Sequence, residues 1–182
     1  MSRKAKKDKR VERTRDRLGD ALVALIREKP FDDIRVQDVL DRAGVGRSTF
    51  YVHFRDKVDL LLSDADEFFE HMSMLLIRKR DTSGRVAPVR ELFAHVADVE
   101  EFVRALTASG RAHAIFDLGR DHFARAIERR LSRRIAKKER DALAYGYATA
   151  LFALLTWWVE HKRPLTPEKM DDLFHRMIIS QA

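Results

Sequence analysis

Glycine and proline are scarce in this chain, and its apolar residues recur at helical spacing along most of its length. Only 7 glycines and 4 prolines occur among 182 residues. Apolar residues three and four positions apart share one face of a helix, whereas a half-buried strand needs strict alternation. The first pattern dominates and the second is not evident. The sequence therefore predicts an all-α fold of about nine helices.

The segment Val36–Lys57, VQDVLDRAGVGRSTFYVHFRDK, predicts two short helices joined by a glycine-containing turn. The first spans Val36–Ala43, and Gly44 follows it as a residue able to take a positive φ. The second spans about Arg47–Phe54. Two such helices in succession are typical of a helix-turn-helix, which lays its second helix in the DNA major groove.

The second helix carries side chains that suit DNA better than a protein core. Arg47, near its N-terminal end, can bridge O6 and N7 of guanine, Ser48 can bond to either base type, and Val52 can touch a thymine methyl group. Donors that suit phosphate oxygens are carried by Thr49, Tyr51 and His53, and by Lys57 at the start of the next helix. We therefore expect base contacts and phosphate contacts within one short segment.

Structural alternatives stay open for two of these residues. Tyr51 could be a packed aromatic residue, and His53 could be a partly buried core histidine, because its direction lies between those of Thr49 and Phe50. Arg47 has no apolar reason to stand where it does. Its DNA-binding interpretation is therefore the stronger one.

The positive charge is concentrated near the N-terminus. Residues 1–17 contain nine Lys or Arg and three acidic residues, which accounts for +6 of the formal net charge of +7. A basic arm suits a polyphosphate partner or an anionic membrane surface, and a solvated, disordered tail is the alternative. The helix-turn-helix pattern that follows favours DNA.

The absence of cysteine excludes disulfides and thiolate metal sites. The charged N-terminus has no apolar stretch of the kind a secretory signal needs. These two observations lead us to expect a cytoplasmic protein.

The segment resembles the TetR family of bacterial transcription regulators. The matching positions, within about 22 residues, are Val36, Val39, Ala43-Gly44-Val45, Ser48-Thr49-Phe50-Tyr51, His53-Phe54 and Lys57. The resemblance implies an all-helical homodimer with a DNA-binding head, residues 1–57. It also implies a C-terminal domain, residues 58–182, that dimerises, often holds a small ligand, and represses transcription until that ligand binds.

The same resemblance implies which residues contact DNA: Gln37, Arg47, Ser48, Thr49, Tyr51, Val52, His53 and Lys57. A two-fold dimer would place its two recognition helices about 34–36 Å apart, one DNA turn. The double-stranded operator would then be a near-palindrome.

One position departs from the family pattern. Where the family usually has a threonine as N-cap of the second helix, this chain has Arg35. The missing cap hydrogen bond would cost about 1 kcal/mol. Arg35 contacts a phosphate instead, or it is a tolerated surface change; the two alternatives stay open.

The segment Ala142–Val159 has 18 residues and no charge. A membrane span of this length is marginal, and a buried or subunit-interface helix is the favoured interpretation. The region Leu151–Met177 is similar to a C-terminal subclass of the family whose last two helices pair across a dimer. The candidate interface residues are Tyr145, Thr149, Phe152, Thr156, Val159, Phe174 and Met177, with ordinary intrachain core as the alternative.

A ligand cavity would lie between the fourth helix and the fifth to eighth. Its candidate lining is Met72, Phe93, Phe102, Phe116 and Phe123, with His95 or His113 as a polar group. Aromatic residues at helical spacing are more often packed core. The basic run Arg125–Arg140 is interpreted as a solvated helix face, and a second anion site is the less favoured view.

No arrangement of residues predicts catalysis, a metal site or a cofactor. His71, His95, His113 and His122 are scattered, without HExxH, Ser-His-Asp spacing or a Gly-rich phosphate loop. The predicted function is a sequence-specific DNA-binding transcription regulator, a repressor released by a small-molecule effector. The alternative is a DNA-binding scaffold or partner-binding protein of the same fold without an effector.

Overall fold

The computed structural model describes residues 3–179, with side chains from 11 to 178, and this part of the chain contains ten α-helices and no strand. The helices are α1 Arg3–Glu28, α2 Val36–Ala43, α3 Arg47–His53, α4 Lys57–Ser73, α5 Leu75–Arg78, α6 Val89–Asp98, α7 Glu100–Ala108, α8 Ala112–Arg130, α9 Lys137–Glu160 and α10 Pro167–Ile179, and a 3-10 turn spans Phe31–Asp33. The all-α prediction is confirmed.

Local signals place the first helix ends as predicted. Helix α1 ends two residues before Pro30, and α2 has the predicted bounds. Gly44 has φ 60°, and the N–H of Val45 donates to the carbonyl of Leu40 at 3.1 Å. This backbone geometry ends α2 and turns the chain toward α3.

The predicted fourth helix is two helices. Helix α4 ends at Ser73, and α5 resumes at Leu75 after Met74. This division explains why the described residues contain ten helices where about nine were expected.

The chain forms two compact units. The first runs to Asp64 and includes Glu101–Ala112, and the second consists of Ala65–Glu100 and the chain from His113 onward. These are packing units, and the functional division between residues 57 and 58 stays a prediction.

The first unit packs α1, the 3-10 turn, α2 and α3 around a compact apolar core. Its fully buried side chains include Leu18, Leu22, Phe31, Ile34, Val39, Phe50 and Leu60. Complete burial of a large apolar side chain contributes about 1.5–3 kcal/mol. This core holds α3 by its apolar side.

The second unit is built around aromatic side chains. The buried ones are Phe69, Phe93, Phe123, Phe152, Trp158 and Phe174. A Cβ at Gly119 would lie 2.5 Å from the Phe152 ring and 2.7 Å from the Phe69 ring, so α8 needs glycine here. Outside the aromatic cluster, the guanidinium of Arg85 ties α6 to α10 through Glu91 at 2.6 Å and Asp171 at 3.0 Å.

Candidate nucleic-acid interface

Helix α3 turns a nearly continuous polar face outward. Arg47, Ser48 and Thr49 are exposed. Tyr51 is 51% exposed and Val52 is 77% exposed, while Phe50 on the opposite side is fully buried. The predicted base-contacting side chains are therefore all accessible on one short helix.

The back of α3 is held by aromatic packing. The Phe50 ring lies 5.7 Å from the Phe54 ring, centroid to centroid, and meets the Tyr51 ring edge-on at 5.3 Å. The Tyr51 ring therefore packs against Phe50, while about half of the side chain stays exposed to solvent. His53 is half-buried, with its ring 6.2 Å from that of Phe54.

A hydrogen-bond chain connects α2 to the N-terminal end of α3. The guanidinium of Arg47 donates to Gln37 Oε1 at 2.9 Å, and Gln37 Nε2 donates to Asp41 Oδ1 at 2.7 Å. Guanidinium has further donors after this bond is made. Gln37 can therefore orient Arg47 while Arg47 still presents donors to a base edge.

Asp38 compensates in part for the missing N-cap at Arg35. Its Oδ2 accepts from the backbone N–H of Arg35 at 2.9 Å and from the ammonium of Lys29 at 2.5 Å. The Lys29 bond is the main reason that the pKa of Asp38 lies below its usual value. The Arg35 side chain is exposed, as both a phosphate contact and a neutral surface position require.

Lys57 differs most from expectation. Its ammonium donates to the carbonyls of Phe31 at 2.6 Å, Asp32 at 3.0 Å and Ile34 at 2.7 Å, and it lies 4.7 Å from the centre of the Phe31 ring. An ammonium has three donors, and here all three are used. Burial lowers the pKa of Lys57. The geometry indicates a structural role for this side chain in place of the expected phosphate contact.

From Arg3 onward the basic arm is part of α1, and two of its arginines serve the fold. Arg17 donates to the carbonyl of Ala43 and, at 3.4 Å, to that of Gly44, at the C-terminal end of α2. Arg15 donates to Ser63 Oγ at 2.6 Å. Six other cationic side chains of the arm lie outside the described side chains: Arg3, Lys4, Lys6, Lys7, Lys9 and Arg10.

Two family models match the chain. The model described as "Bacterial regulatory proteins, tetR family" matches residues 18–63, which include α2 and α3. The model described as "Transcriptional regulator C-terminal region" matches residues 88–180, half of the chain. The chain belongs to the TetR family. It is accordingly a transcription regulator of a DNA-binding family, as the sequence predicted, and its family and structural neighbours are transcription regulators rather than enzymes.

Several solved structures share the fold over nearly the whole chain. A TetR regulator from Streptococcus agalactiae is 23% identical, with a TM-score of 0.65 and coverage of 94% of this chain and 97% of that one. The dihydroxyacetone kinase operon activator DhaS is 16% identical, with a TM-score of 0.65 and coverage of 92% and 95%. A TetR-family regulator from Syntrophomonas wolfei is 19% identical, with a TM-score of 0.64 and coverage of 93% and 95%.

A curated relative is the HTH-type transcriptional regulator YxbF of Bacillus subtilis, 23% identical over 162 residues and 82% of this chain. The chain spans about 40% of the length of that relative. Members of the TetR family bind DNA operators and act as dimers.

The candidate dimer residues of this TetR-family protein fall into two groups. Tyr145 and Met177 are 54% and 46% exposed, Thr149 is exposed, and Thr156 and Val159 are half-buried. Phe152 is 5% exposed and Phe174 is fully buried within the second unit. The prediction for these two is revised: they pack inside one chain, where no partner can reach them.

An exposed stripe along α9 includes residues that the sequence analysis missed. Trp157 is 39% exposed, and Gly146 and Ala153 are also exposed. Tyr145, Thr149, Ala153 and Trp157 recur every four residues, and Gly146 lies three residues before Thr149, so all five share one helix face. We call these five residues the α9 stripe. The helical spacing of these residues is visible in the sequence. It does not single them out there, because α9 is apolar on every side.

The candidate ligand residues differ in burial and in their packing partners. Phe93 and Phe123 are fully buried, packing against Trp158 at 4.9 Å and Phe152 at 5.5 Å between ring centres. Met72, Phe102 and Phe116 are half-buried, and Phe102 belongs to the first unit. His113 is exposed, and His95 stacks on Phe68 at 4.4 Å. For Phe93 and Phe123 this packing supports the core interpretation, and the ligand role stays a prediction.

Helix α9 is also long and apolar enough to cross a membrane by length and composition, with 33% of its most apolar window buried. One such helix is weak evidence, since core helices of globular proteins meet the same criterion. Across the described residues, no group of three or more His, Cys, Asp or Glu side chains is placed to hold a metal ion.

Proposed function

We propose that this TetR-family regulator binds a near-palindromic operator as a homodimer through α3, and represses transcription until a small-molecule effector releases it. The observation that carries the proposal is the outward polar face of α3, with Arg47 held by Gln37 at 2.9 Å. An arginine that is restrained before binding loses less side-chain entropy when it engages a base.

The contacts divide by chemistry. Arg47, Ser48 and Val52 are proposed to contact base edges. Gln37 positions Arg47 and contacts the backbone or a base beside it. Thr49, Tyr51, His53 and Arg35 are proposed to contact phosphates, which set the position of the protein on the duplex.

The α9 stripe is proposed as the centre of the dimer interface. It combines Tyr145 and Trp157 with the small residues Gly146, Thr149 and Ala153, which let two helices approach closely. An exposed apolar stripe on a helix needs a cover, and a two-fold copy of the same stripe provides one. Covering the stripe also accounts for the apolar character of α9 in a cytoplasmic protein without a membrane span. Recovery of the protein only with detergent would contradict this.

An alternative without an effector keeps the same DNA-binding head and dimer. It is favoured by one observation, the complete burial of Phe93 and Phe123 in the second unit. The neighbour DhaS is described as an operon activator, so the sign of regulation needs its own test. A reporter gene under the mapped operator should fall in expression when the regulator is present if it is a repressor.

The central experiment measures operator binding by fluorescence anisotropy against a random duplex at two salt concentrations. The operator is first mapped by footprinting the regulator on DNA upstream of its own gene. Arg47→Ala should weaken operator binding by about 1–3 kcal/mol and leave random-duplex binding nearly unchanged. Arg104→Ala, which removes an exposed arginine of α7, is the charge-matched control. Equal losses on both duplexes for Arg47→Ala would show that Arg47 does not contact bases.

A further inference from the structure

A basic depression lies in the second unit beside the C-terminal end of α8. It has a volume of about 600 Å³, and its lining includes Leu76 and Ile77 with the guanidinium groups of Arg80, Arg129, Arg130 and Arg133. We call it the arginine depression. Three of these arginines, Arg129, Arg130 and Arg133, belong to the basic run Arg125–Arg140, for which the sequence favours a solvated helix face.

The positive charge of the arginine depression is mostly uncompensated. Arg130 lies 3.4 Å from the carboxylate of Asp81 and donates to the carbonyls of Asp81 and Arg85. The contact of Arg129 is the uncharged sulfur of Met74 at 3.5 Å. The side chains of Arg80 and Arg133 have no hydrogen bond or ion pair to any residue in the described part of the chain, and the backbone N–H of Arg80 donates to the carbonyl of Ile77 at 3.1 Å.

The carboxylate that pairs with Arg130, that of Asp81, is already engaged. Asp81 Oδ1 accepts from the backbone N–H of Ser83 at 3.0 Å and from its hydroxyl at 2.5 Å. Like charges gathered at one place repel each other, and an added anion would relieve that repulsion. The charge of the depression therefore calls for a negatively charged occupant.

Arg80 stands where a glycine is usual. Its φ is 51°, and the N–H of Asp81 donates to the carbonyl of Leu76 at 2.9 Å, the hydrogen bond that closes a helix end of the Schellman type. Helix α7 ends in the same way at Gly110, with φ 69°. Lys162 adopts this conformation after α9, so the strain by itself identifies no site. What distinguishes Arg80 is that its side chain lines a depression shared with three other guanidinium groups.

We infer that the arginine depression binds a small organic anion that joins a phosphate or carboxylate group to a short apolar segment. Guanidinium groups match the paired oxygens of both anions through two parallel hydrogen bonds. Leu76 and Ile77 offer contact to the apolar segment. The site goes beyond operator binding, because occupancy of the depression requires no DNA.

The test is calorimetric titration of the intact protein at low ionic strength with octyl phosphate, inorganic phosphate and octanol, each below any micelle-forming concentration. Octyl phosphate should bind at least tenfold more tightly than inorganic phosphate, and octanol should not bind. Absence of octyl phosphate binding, or equal binding of octyl phosphate and octanol, would overturn the inference.

Two variants locate the site. Arg80→Gly suits the positive φ, so it should unfold at the same or a higher temperature while octyl phosphate binding falls at least fivefold. Arg133→Gln should weaken binding by a similar factor, and Arg104→Gln, with the same loss of charge, should not. If all three substitutions weaken octyl phosphate binding equally, net charge alone explains the effect and the proposed site is wrong.

A lipid headgroup presents the same phosphate chemistry as a small soluble anion. Vesicle sedimentation distinguishes the two occupants. Binding to phosphatidylglycerol vesicles through Arg80 and Arg133, without binding of monomeric octyl phosphate, would make a membrane surface the occupant and overturn the proposal. Operator binding by Arg80→Gly is measured in parallel. If this variant binds the operator normally but no longer binds octyl phosphate, the arginine depression is tested independently of DNA binding by α3.

Discussion

Lys57→Met tests whether this lysine serves the fold or the DNA. The ammonium donates to three backbone carbonyls, of Phe31, Asp32 and Ile34, between 2.6 and 3.0 Å away. Methionine keeps a chain of similar length that can lie on the Phe31 ring, but it has no donor. The substitution therefore removes the hydrogen bonds and the charge while retaining most of the packing.

The expected loss follows from the surroundings of the three carbonyls. The hydrogen bonds to Phe31 and Ile34 are partly buried, and the one to Asp32 is exposed. A partly buried carbonyl that loses its donor costs about 1 kcal/mol or more, an exposed one is rehydrated at little cost, and the lost cation–ring contact adds about 0.5–1 kcal/mol. We expect Lys57→Met to lower the free energy of unfolding by about 2–4 kcal/mol.

Urea unfolding followed by circular dichroism measures this loss. Arg55→Met is a matched control two residues away, because it also removes one positive charge. The Arg55 side chain is 88% exposed and pairs only with Asp59 at 3.1 Å within the described residues. An exposed pair of this kind contributes about 0–1 kcal/mol.

The salt dependence of operator binding is measured on the same two variants. A structural Lys57 predicts the larger stability loss with an unchanged slope of log affinity against log salt concentration. If Lys57→Met is no less stable than Arg55→Met, and its salt slope falls by about 1, Lys57 contacts a phosphate and our structural interpretation is refuted.

Three further substitutions test the packing of α8, the end of α9 and the proposed dimer interface. Gly119→Ala should lower the free energy of unfolding by about 1–3 kcal/mol, measured by urea titration, because its Cβ would lie 2.5 Å from the Phe152 ring; an unchanged midpoint would contradict this. Lys162→Gly should raise stability by about 0.5–1 kcal/mol, since glycine relieves the positive φ but loses a cation at the end of α9, and a lower melting temperature would contradict it. Gly146→Leu has open space around its Cβ within the chain, so the helix should fold normally while the dimer dissociates at least tenfold more readily in sedimentation equilibrium. An unaltered dimer would remove Gly146 from the interface.

The elements nearest the DNA-binding helix were predictable because their signals are local. Gly44 ends α2 with a positive φ, and Asp56 caps α4 by accepting from the N–H groups of Val58 and Asp59, both at 2.8 Å. Each of these interactions joins residues within five positions of each other. Sequence spacing alone therefore indicates which residues form these interactions.

The separation of buried from exposed residues on α9 was not predictable in the same way. Phe152 and Trp157 are both large and apolar, and both lie in Ala142–Val159, the uncharged segment of α9. The structure buries Phe152 among the rings of the second unit and exposes Trp157. A helix that is apolar all round gives no indication of which face the chain covers and which is left for a partner.

The sequence by itself determined the helical class, the bounds of α2 and the residues that α3 presents, since periodicity and capping act over one or two helical turns. Only the tertiary structure decided that the Lys57 ammonium is used by carbonyls 23 to 26 positions earlier, and that Arg17 closes the end of α2. A long cationic side chain on a surface helix has the same local signature whether it meets solvent, phosphate or a distant carbonyl. Its partner is set by how the helices pack, which no short segment encodes.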